Sequence, residues 1–209
     1  MEIINNNSPV VEFYAGKTVF ITGATGFMGK VLVEKLLRST DVKMIYLLIR
    51  PKKGVQTELR LKALFESSVF GKLKELDADL LNKVVAVNGD ITEENFGLDE
   101  ESQTLLFENV NIVFHSAATV RFDEDLTKSV SMNIKAVSTV ISLARKMKNL
   151  EALVDVSTAY CNCDLKHIEE KIYKAPLDPQ AVIDLCRVLD AEKLNRQESY
   201  DGPDIAHPS

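Results

Sequence analysis

Apolar residues fall along this chain in short runs separated by longer stretches of helical spacing. Thr18-Val-Phe-Ile-Thr22 is almost wholly apolar, which suits a central strand covered on both faces, where alternating polar side chains would be left in the core. Met44-Ile-Tyr-Leu-Leu-Ile49, Lys83-Val-Val-Ala-Val87, Asn111-Ile-Val-Phe114 and Leu153-Val-Asp-Val-Ser157 read as four further strands. After Gly26, the residues Met28, Val31, Leu32, Lys35 and Leu36 recur at spacings of three and four. They predict an amphipathic helix with that face on the first strand and Lys35 snorkelling at the rim. Glu58 to Leu81, with Leu61, Leu64, Phe65, Val69 and Leu73 near helical spacing, and Ser129 to Met147 read as helical crossovers. Strands alternating with helices define an α/β fold with a doubly wound parallel sheet. Right-handed crossovers then give the spatial order 3-2-1-4-5, with a crevice between strands one and four.

Composition narrows the function classes. The 209 residues carry 31 acids against 25 bases, a net charge of −6, interspersed rather than blocked, which gives no reason to expect a nucleic-acid partner. Residues 1–12 lack the charged and apolar regions of a secretory signal, and no stretch reaches the ~18 apolar residues that span a bilayer, so no membrane span is expected. Cys161, Cys163 and Cys186 show no zinc-ligand spacing with His115, His167 or His207, and reduced structural thiols without a metal are expected.

The candidate chemistry sits between the first strand and the first helix, in Thr22-Gly-Ala-Thr-Gly-Phe-Met-Gly29. Gly23 permits a tight turn, Gly26 lets the backbone approach a pyrophosphate, and Gly29 lets the helix lie close on the strand. This is the dinucleotide site of a Rossmann fold, although the spacing is Gly-x-x-Gly-x-x-Gly. Thr25, Phe27 and Met28 complete the turn, and the helix N-terminus favours an anion. The second strand ends in Arg50, followed by Pro51-Lys52-Lys53, where an NAD-selective site would place an acid on the ribose 2′-hydroxyl. A guanidinium there pairs with a 2′-phosphate, so NADPH is the expected cofactor. Asp90 and Ile91 end the third strand, where they could accept the adenine amino group and cover its ring; the alternative reading is a polar turn, which Asn88-Gly89 also favours. Ala117 and Ala118, in His115-Ser-Ala-Ala118, let backbone approach the nicotinamide ribose. His115 itself reads as a core histidine at least as readily as a catalytic one.

Thr22 to Gly29, Asp90-Ile91, His115-Ser-Ala-Ala118, Asn133 and Val156-Ser-Thr-Ala-Tyr160 together resemble the extended short-chain dehydrogenase/reductases. Leu-Leu-Ile-Arg-Pro-Lys, Phe-His-Ser-Ala-Ala-Thr-Val-Arg-Phe and Val-Ser-Thr-Ala-Tyr narrow the resemblance to the fatty acyl-CoA reductases, over about Tyr14 to Lys193. The resemblance implies NADPH-dependent reduction of a long-chain acyl-CoA through an aldehyde to a primary alcohol, with release of CoA. It also implies an intracellular protein associated with peroxisomes or the endoplasmic reticulum. By the same resemblance, Asn133 joins the cofactor-binding residues, and Thr158, beside Ser157, would bind the carbonyl oxygen as part of the catalytic set.

That family also uses a Tyr proton donor with a Lys four residues on, and none of Tyr14, Tyr46, Tyr160, Tyr173 and Tyr200 is followed by such a lysine. A positioned general acid contributes typically ~10²–10⁴-fold, so retained cofactor binding with strongly reduced activity is expected. The sequence divides into a polar N-terminal arm (1–13), an NADP-binding Rossmann domain (14–160), a partial helical insertion (161–194) and a disordered tail (195–209). The sheet is expected to be incomplete at its C-terminal edge, exposing strand five for self-association. Two other readings stay open: a non-catalytic NADP(H)-binding or interaction fragment, and another extended reductase acting on a nucleotide sugar.

Overall fold

The computed structural model describes residues 8–188 apart from Lys53, Phe122 and Ala159. The expected tail, the end of the insertion, the first seven residues of the arm and Lys53 of the basic loop lie outside the described residues. Five parallel strands, β1 (Thr18–Thr22), β2 (Met44–Ile49), β3 (Val84–Asn88), β4 (Ile112–His115) and β5 (Ala152–Asp155), form one sheet in the order β3-β2-β1-β4-β5. This is the expected order; β1 and β2 keep the expected bounds, and the ends of β3, β4 and β5 are shifted by one or two residues.

Alternation along each strand builds a separate core on each face. Val19, Ile21, Ile45, Leu47, Ile49 and Ile112 pack under α2 (Phe27–Ser39), α3 (Thr57–Phe65) and α4 (Gly71–Asp77). Phe20, Tyr46, Leu48, Val87 and Val113 pack under α5 (Glu100–Asn109) and, beyond the short α6 (Leu126–Val130), α7 (Ala136–Ala144). β1 is buried at every position because both faces are covered, which is why its sequence is a continuous apolar run. At the sheet margin β5 is exposed at Val154 and Asp155. The polar arm ends in a one-and-a-half-turn helix, α1 (Pro9–Tyr14), and the insertion contributes α8 (Pro179–Val188).

In the first half of the chain two helical expectations need correction. The buried face of α2 is Gly29, Val33, Glu34, Leu36 and Leu37, whereas Met28, Val31 and Lys35 are exposed. Gly29 sets this phase: its bare Cα is pressed on the turn below, and 33, 36 and 37 follow at helical spacing. The segment from Glu58 to Leu81 is not one helix. Ser67 is extended, and α3 and α4 are separated by a tight turn, Ser68–Phe70, which drives Phe70 edge-on against Phe65 at 5.4 Å between ring centres.

Candidate cofactor cleft

β1 delivers the chain to Gly23 at φ +75°, in the left-handed region that favours glycine. A Cβ here would stand 2.6 Å from the Ser116 carbonyl carbon and from the Ala117 nitrogen, so the turn lies directly on the loop that follows β4. A Cβ on Gly29 would collide with the Gly23 carbonyl oxygen and come within 2.5 Å of the Ala24 Cα. Gly26 differs: its φ is an ordinary −77°, and an added Cβ would meet the Gly23 oxygen alone, at 3.2 Å. Gly23 and Gly29 therefore serve packing, while Gly26 is crowded by one atom alone. The Gly26 amide donates to the Gly23 carbonyl at 2.9 Å, and α2, with no acid in its first turn, begins at once.

The turn forms one wall of a cleft of about 320 Å³ at the carboxyl ends of the strands, where Gly23, Thr25 and Gly26 stand at its edge. Ser116, Ala117 and Ala118 continue that wall from β4, and Met132 closes it. The opposite wall comes from the ends of β2 and β3: Leu48, Ile49, Arg50 and Lys52, then Gly89, Asp90 and Ile91, with Arg60 reaching in from the first turns of α3. The cleft lies where the strand order reverses, between crossovers running to opposite sides, which is the place for a ligand in an open parallel sheet.

Asp90 is held tightly. Its Oδ1 accepts from the Thr92 amide at 3.0 Å and the Thr92 hydroxyl at 2.9 Å, and its Oδ2 accepts from Arg50 Nη1 at 3.2 Å. Partial burial pushes the carboxyl up, but the Thr92 and Arg50 contacts outweigh it and hold the group below the ordinary carboxylate range. The backbone is fixed too, since the Asp90 amide donates to the Phe96 carbonyl at 2.9 Å. That carbonyl is presented by three successive left-handed residues, Asn95 (φ 47°), Phe96 (φ 60°) and Gly97 (φ 62°). Arg60 donates to the Arg50 carbonyl, so Arg50, Arg60 and Lys52 line the same wall as Asp90, the one carboxylate among the described lining residues.

The remaining expected site residues fall outside the lining. Phe27 and Met28 face solvent, and Gly29 is packed beneath the turn. Asn133 sits in a π-helical turn, Ser131–Lys135, that interrupts the expected continuous helix. Its amide oxygen accepts from the Thr119 amide at 2.9 Å and its nitrogen donates to the Thr119 carbonyl at 3.0 Å. Both halves of that side chain are engaged in holding the loop after Ala118. Ser157 and Thr158 follow β5 and are exposed; Thr158 Oγ1 accepts from the Tyr160 amide at 3.1 Å, which leaves its hydroxyl proton available. Arg60, like Leu48 and Met132, is a lining residue that sequence reasoning missed. The only signal for it was a cation one turn into the helix that follows the basic loop.

The residues fit a dinucleotide. The bare backbone of Gly26 at the cleft edge and the amino end of α2 suit a pyrophosphate, and the aliphatic Ile91 and Leu48 suit a flat ring. Among the described residues no helix is long and apolar enough to cross a membrane.

Comparison with known proteins agrees. The family model described as Male sterility protein, an NAD-binding family, matches residues 21–204. Fatty acyl-CoA reductase 2 of Homo sapiens is 44% identical over 184 residues, covering 88% of this chain and 36% of that protein. Fatty acyl-CoA reductase wat of Drosophila melanogaster is 42% identical over 192 residues, covering 92% and 37%. The chain thus spans little more than a third of the length of these relatives. Among solved structures, the terminal R domain of the myxalamid PKS-NRPS pathway superposes with a TM-score of 0.64 at 27% identity, covering 88% of this chain and 45% of that one. With a five-stranded parallel sheet, a glycine turn at its switch point and these relatives, the chain belongs to the Male sterility protein family of NAD-binding domains, the fatty acyl-CoA reductase branch of the extended short-chain dehydrogenase/reductases.

Proposed function

We propose that this chain is the NADPH-binding part of a fatty acyl-CoA reductase that converts a long-chain acyl-CoA to a fatty alcohol and releases CoA. The observation that carries the cofactor choice is the wall formed by Arg50, Lys52 and Arg60. Three cations face one carboxylate, Asp90, which is already engaged by Arg50 and Thr92, so the wall keeps an excess of positive charge for a 2′-phosphate. The substrate class is supported by the relatives, which are named fatty acyl-CoA reductases. When bound, the nicotinamide supplies hydride to the thioester carbonyl carbon. The chain's own part is to seat the pyrophosphate on the α2 amides, to admit the ribose beside Ala117 and Ala118, and to donate the Thr158 hydroxyl, beside Ser157, to the carbonyl oxygen.

No tyrosine in the chain has a lysine four residues on, so these 209 residues bind NADPH and turn over acyl-CoA at a rate lowered by roughly 10²–10⁴-fold. Calorimetric titration with NADPH and NADH, followed by an acyl-CoA-dependent NADPH oxidation assay, tests both statements. NADPH binding at least about tenfold more tightly than NADH, with little oxidation, is the expected result. Equal affinities would remove the 2′-phosphate site, and rapid oxidation would require another proton donor. The exposed β5 margin, with Val154 and Val156 each 41% exposed, supports self-association of the isolated chain, which sedimentation velocity over a concentration series reads directly.

A further inference from the structure

The carboxyl ends of β1 and β4 meet in a buried polar cluster behind the cleft. His115 is 2% exposed, pairs in register with Thr22, and lies nearly parallel to the Phe96 ring with 6.1 Å between centres. Its Nδ1 is 2.8 Å from Thr22 Oγ1, while its Nε2 has no hydrogen-bond partner among the described residues. The same Thr22 oxygen accepts from the Ala117 amide at 3.3 Å, and the Ser116 hydroxyl donates to the Thr22 carbonyl at 2.8 Å. Ser116 and Ala117 are cleft wall, and Gly23, next to Thr22, is packed on them.

The proton count selects a tautomer. Were the imidazole proton on Nδ1, both the Thr22 hydroxyl proton and the Nε2 lone pair would be buried without a role. With the proton on Nε2, Thr22 donates to Nδ1 and accepts from Ala117, and one group alone goes unmet. We infer that His115 is a positioning residue for the cofactor cleft: its Nδ1 accepts the Thr22 hydroxyl, which turns the Thr22 oxygen toward the Ala117 amide and fixes loop 116–118 against Gly23. Burial favours the neutral ring this requires. Asp155, opposite on β5, is the charged group that opposes it, and Glu93 and Glu94, by the turn that carries Phe96, are exposed.

The inference rests on the cleft binding a dinucleotide, and its test separates the two. His115→Phe keeps a ring beside Phe96 but removes the acceptor, and His115→Asn restores an acceptor near the Nδ1 position. In NADPH titrations of the full chain, His115→Phe weakens binding about tenfold, the loss expected of one hydrogen bond, and His115→Asn stays within about threefold. Thr22→Val adds nothing further on the His115→Phe background. In the free chain, nitrogen-15 NMR shows the Nε2–H tautomer, and the Ala117 amide exchanges faster in His115→Phe. An Nδ1–H tautomer, additive effects of the two substitutions, or unchanged Ala117 exchange in folded His115→Phe would overturn the assignment. A wild-type chain that binds neither NADPH nor NADH would sink the cofactor reading, while the tautomer and the Ala117 amide would still decide the role of His115.

Discussion

Replacing Gly26 with alanine separates the two purposes that glycines serve in the turn. The backbone at Gly26 has φ −77° and ψ 176°, which alanine adopts freely, and the added Cβ would touch one atom, the Gly23 oxygen, at 3.2 Å. That contact is relieved by a shift of a few tenths of an ångström. Alanine is a poorer residue than glycine at a helix start, which costs on the order of 1 kcal/mol, and it restricts the unfolded chain, which returns ~0.4–1 kcal/mol. The fold should therefore lose less than about 1 kcal/mol. On the proposed seating the methyl group stands where the pyrophosphate approaches, and losing one charge-assisted hydrogen bond there costs ~1.5–3 kcal/mol, roughly a tenfold to hundredfold rise in Kd. Urea unfolding and NADPH titration of the same preparation measure both quantities. An unaltered Kd in a stably folded Gly26→Ala would refute the glycine turn as a pyrophosphate seat.

Gly23→Ala is the contrasting case: it combines a positive φ with 2.6 Å contacts to backbone, and it should destabilise the fold by roughly 2–4 kcal/mol in urea, losing cofactor binding with it. If the basic wall holds the 2′-phosphate as proposed, Arg60→Ala should reduce NADPH affinity about tenfold and leave NADH affinity nearly unchanged, since it removes one cation from that wall; equal losses for both would place Arg60 outside that contact. Arg50→Asp should reverse the preference between the two nucleotides, as read from the ratio of their Kd values. The depressed titration of His115 makes the unfolded chain the stronger proton binder below its ordinary value. Stability is then full above pH ~6.5 and falls as pH drops from there through the folded value, by up to about 1.4 kcal/mol per pH unit. His115→Phe should flatten that part of the urea-derived stability profile.

The three inner strands β1, β2 and β4 were legible because they are buried on both faces or nearly so, and such strands must be written as unbroken apolar runs; the margin strands β3 and β5 were legible from their short β-branched runs although each exposes two positions. The glycine turn was legible for a related reason: three glycines between a strand and a helix have few other uses. The phase of α2 was not, because a periodicity count passes over Gly29, the residue that fixes it, as having no side chain to bury. The split between α3 and α4 hinged on Ser67 leaving helical geometry, a choice made by the tertiary contacts of Phe65, Phe70 and Leu73 rather than by local preference. Asn133 was singled out, but its pairing with the Thr119 backbone lies between segments 14 residues apart, and no spacing rule reports it. Asn95 and Gly97 carry turn signals. Nothing in the sequence announces that Phe96, buried between them, adopts a left-handed backbone to hold Asp90.

The parallel order of the sheet also puts a schedule on the site. The glycine turn, the basic wall and Asp90 all belong to the first three strands, whose paired residues, such as Thr18 with Met44 and Ile45 with Val84, lie 26 and 39 positions apart, whereas Thr22 meets His115 across a separation of 93. A chain emerging from the ribosome in sequence order can therefore assemble the cleft wall from β2 and β3 while the wall from β4 is still unmade. Free dinucleotide in the cell would meet a half-formed pocket first, and tight binding would wait for the fourth strand to dock. In that sense the cofactor can act on maturation, drawing the late strand into place by mass action once its wall arrives.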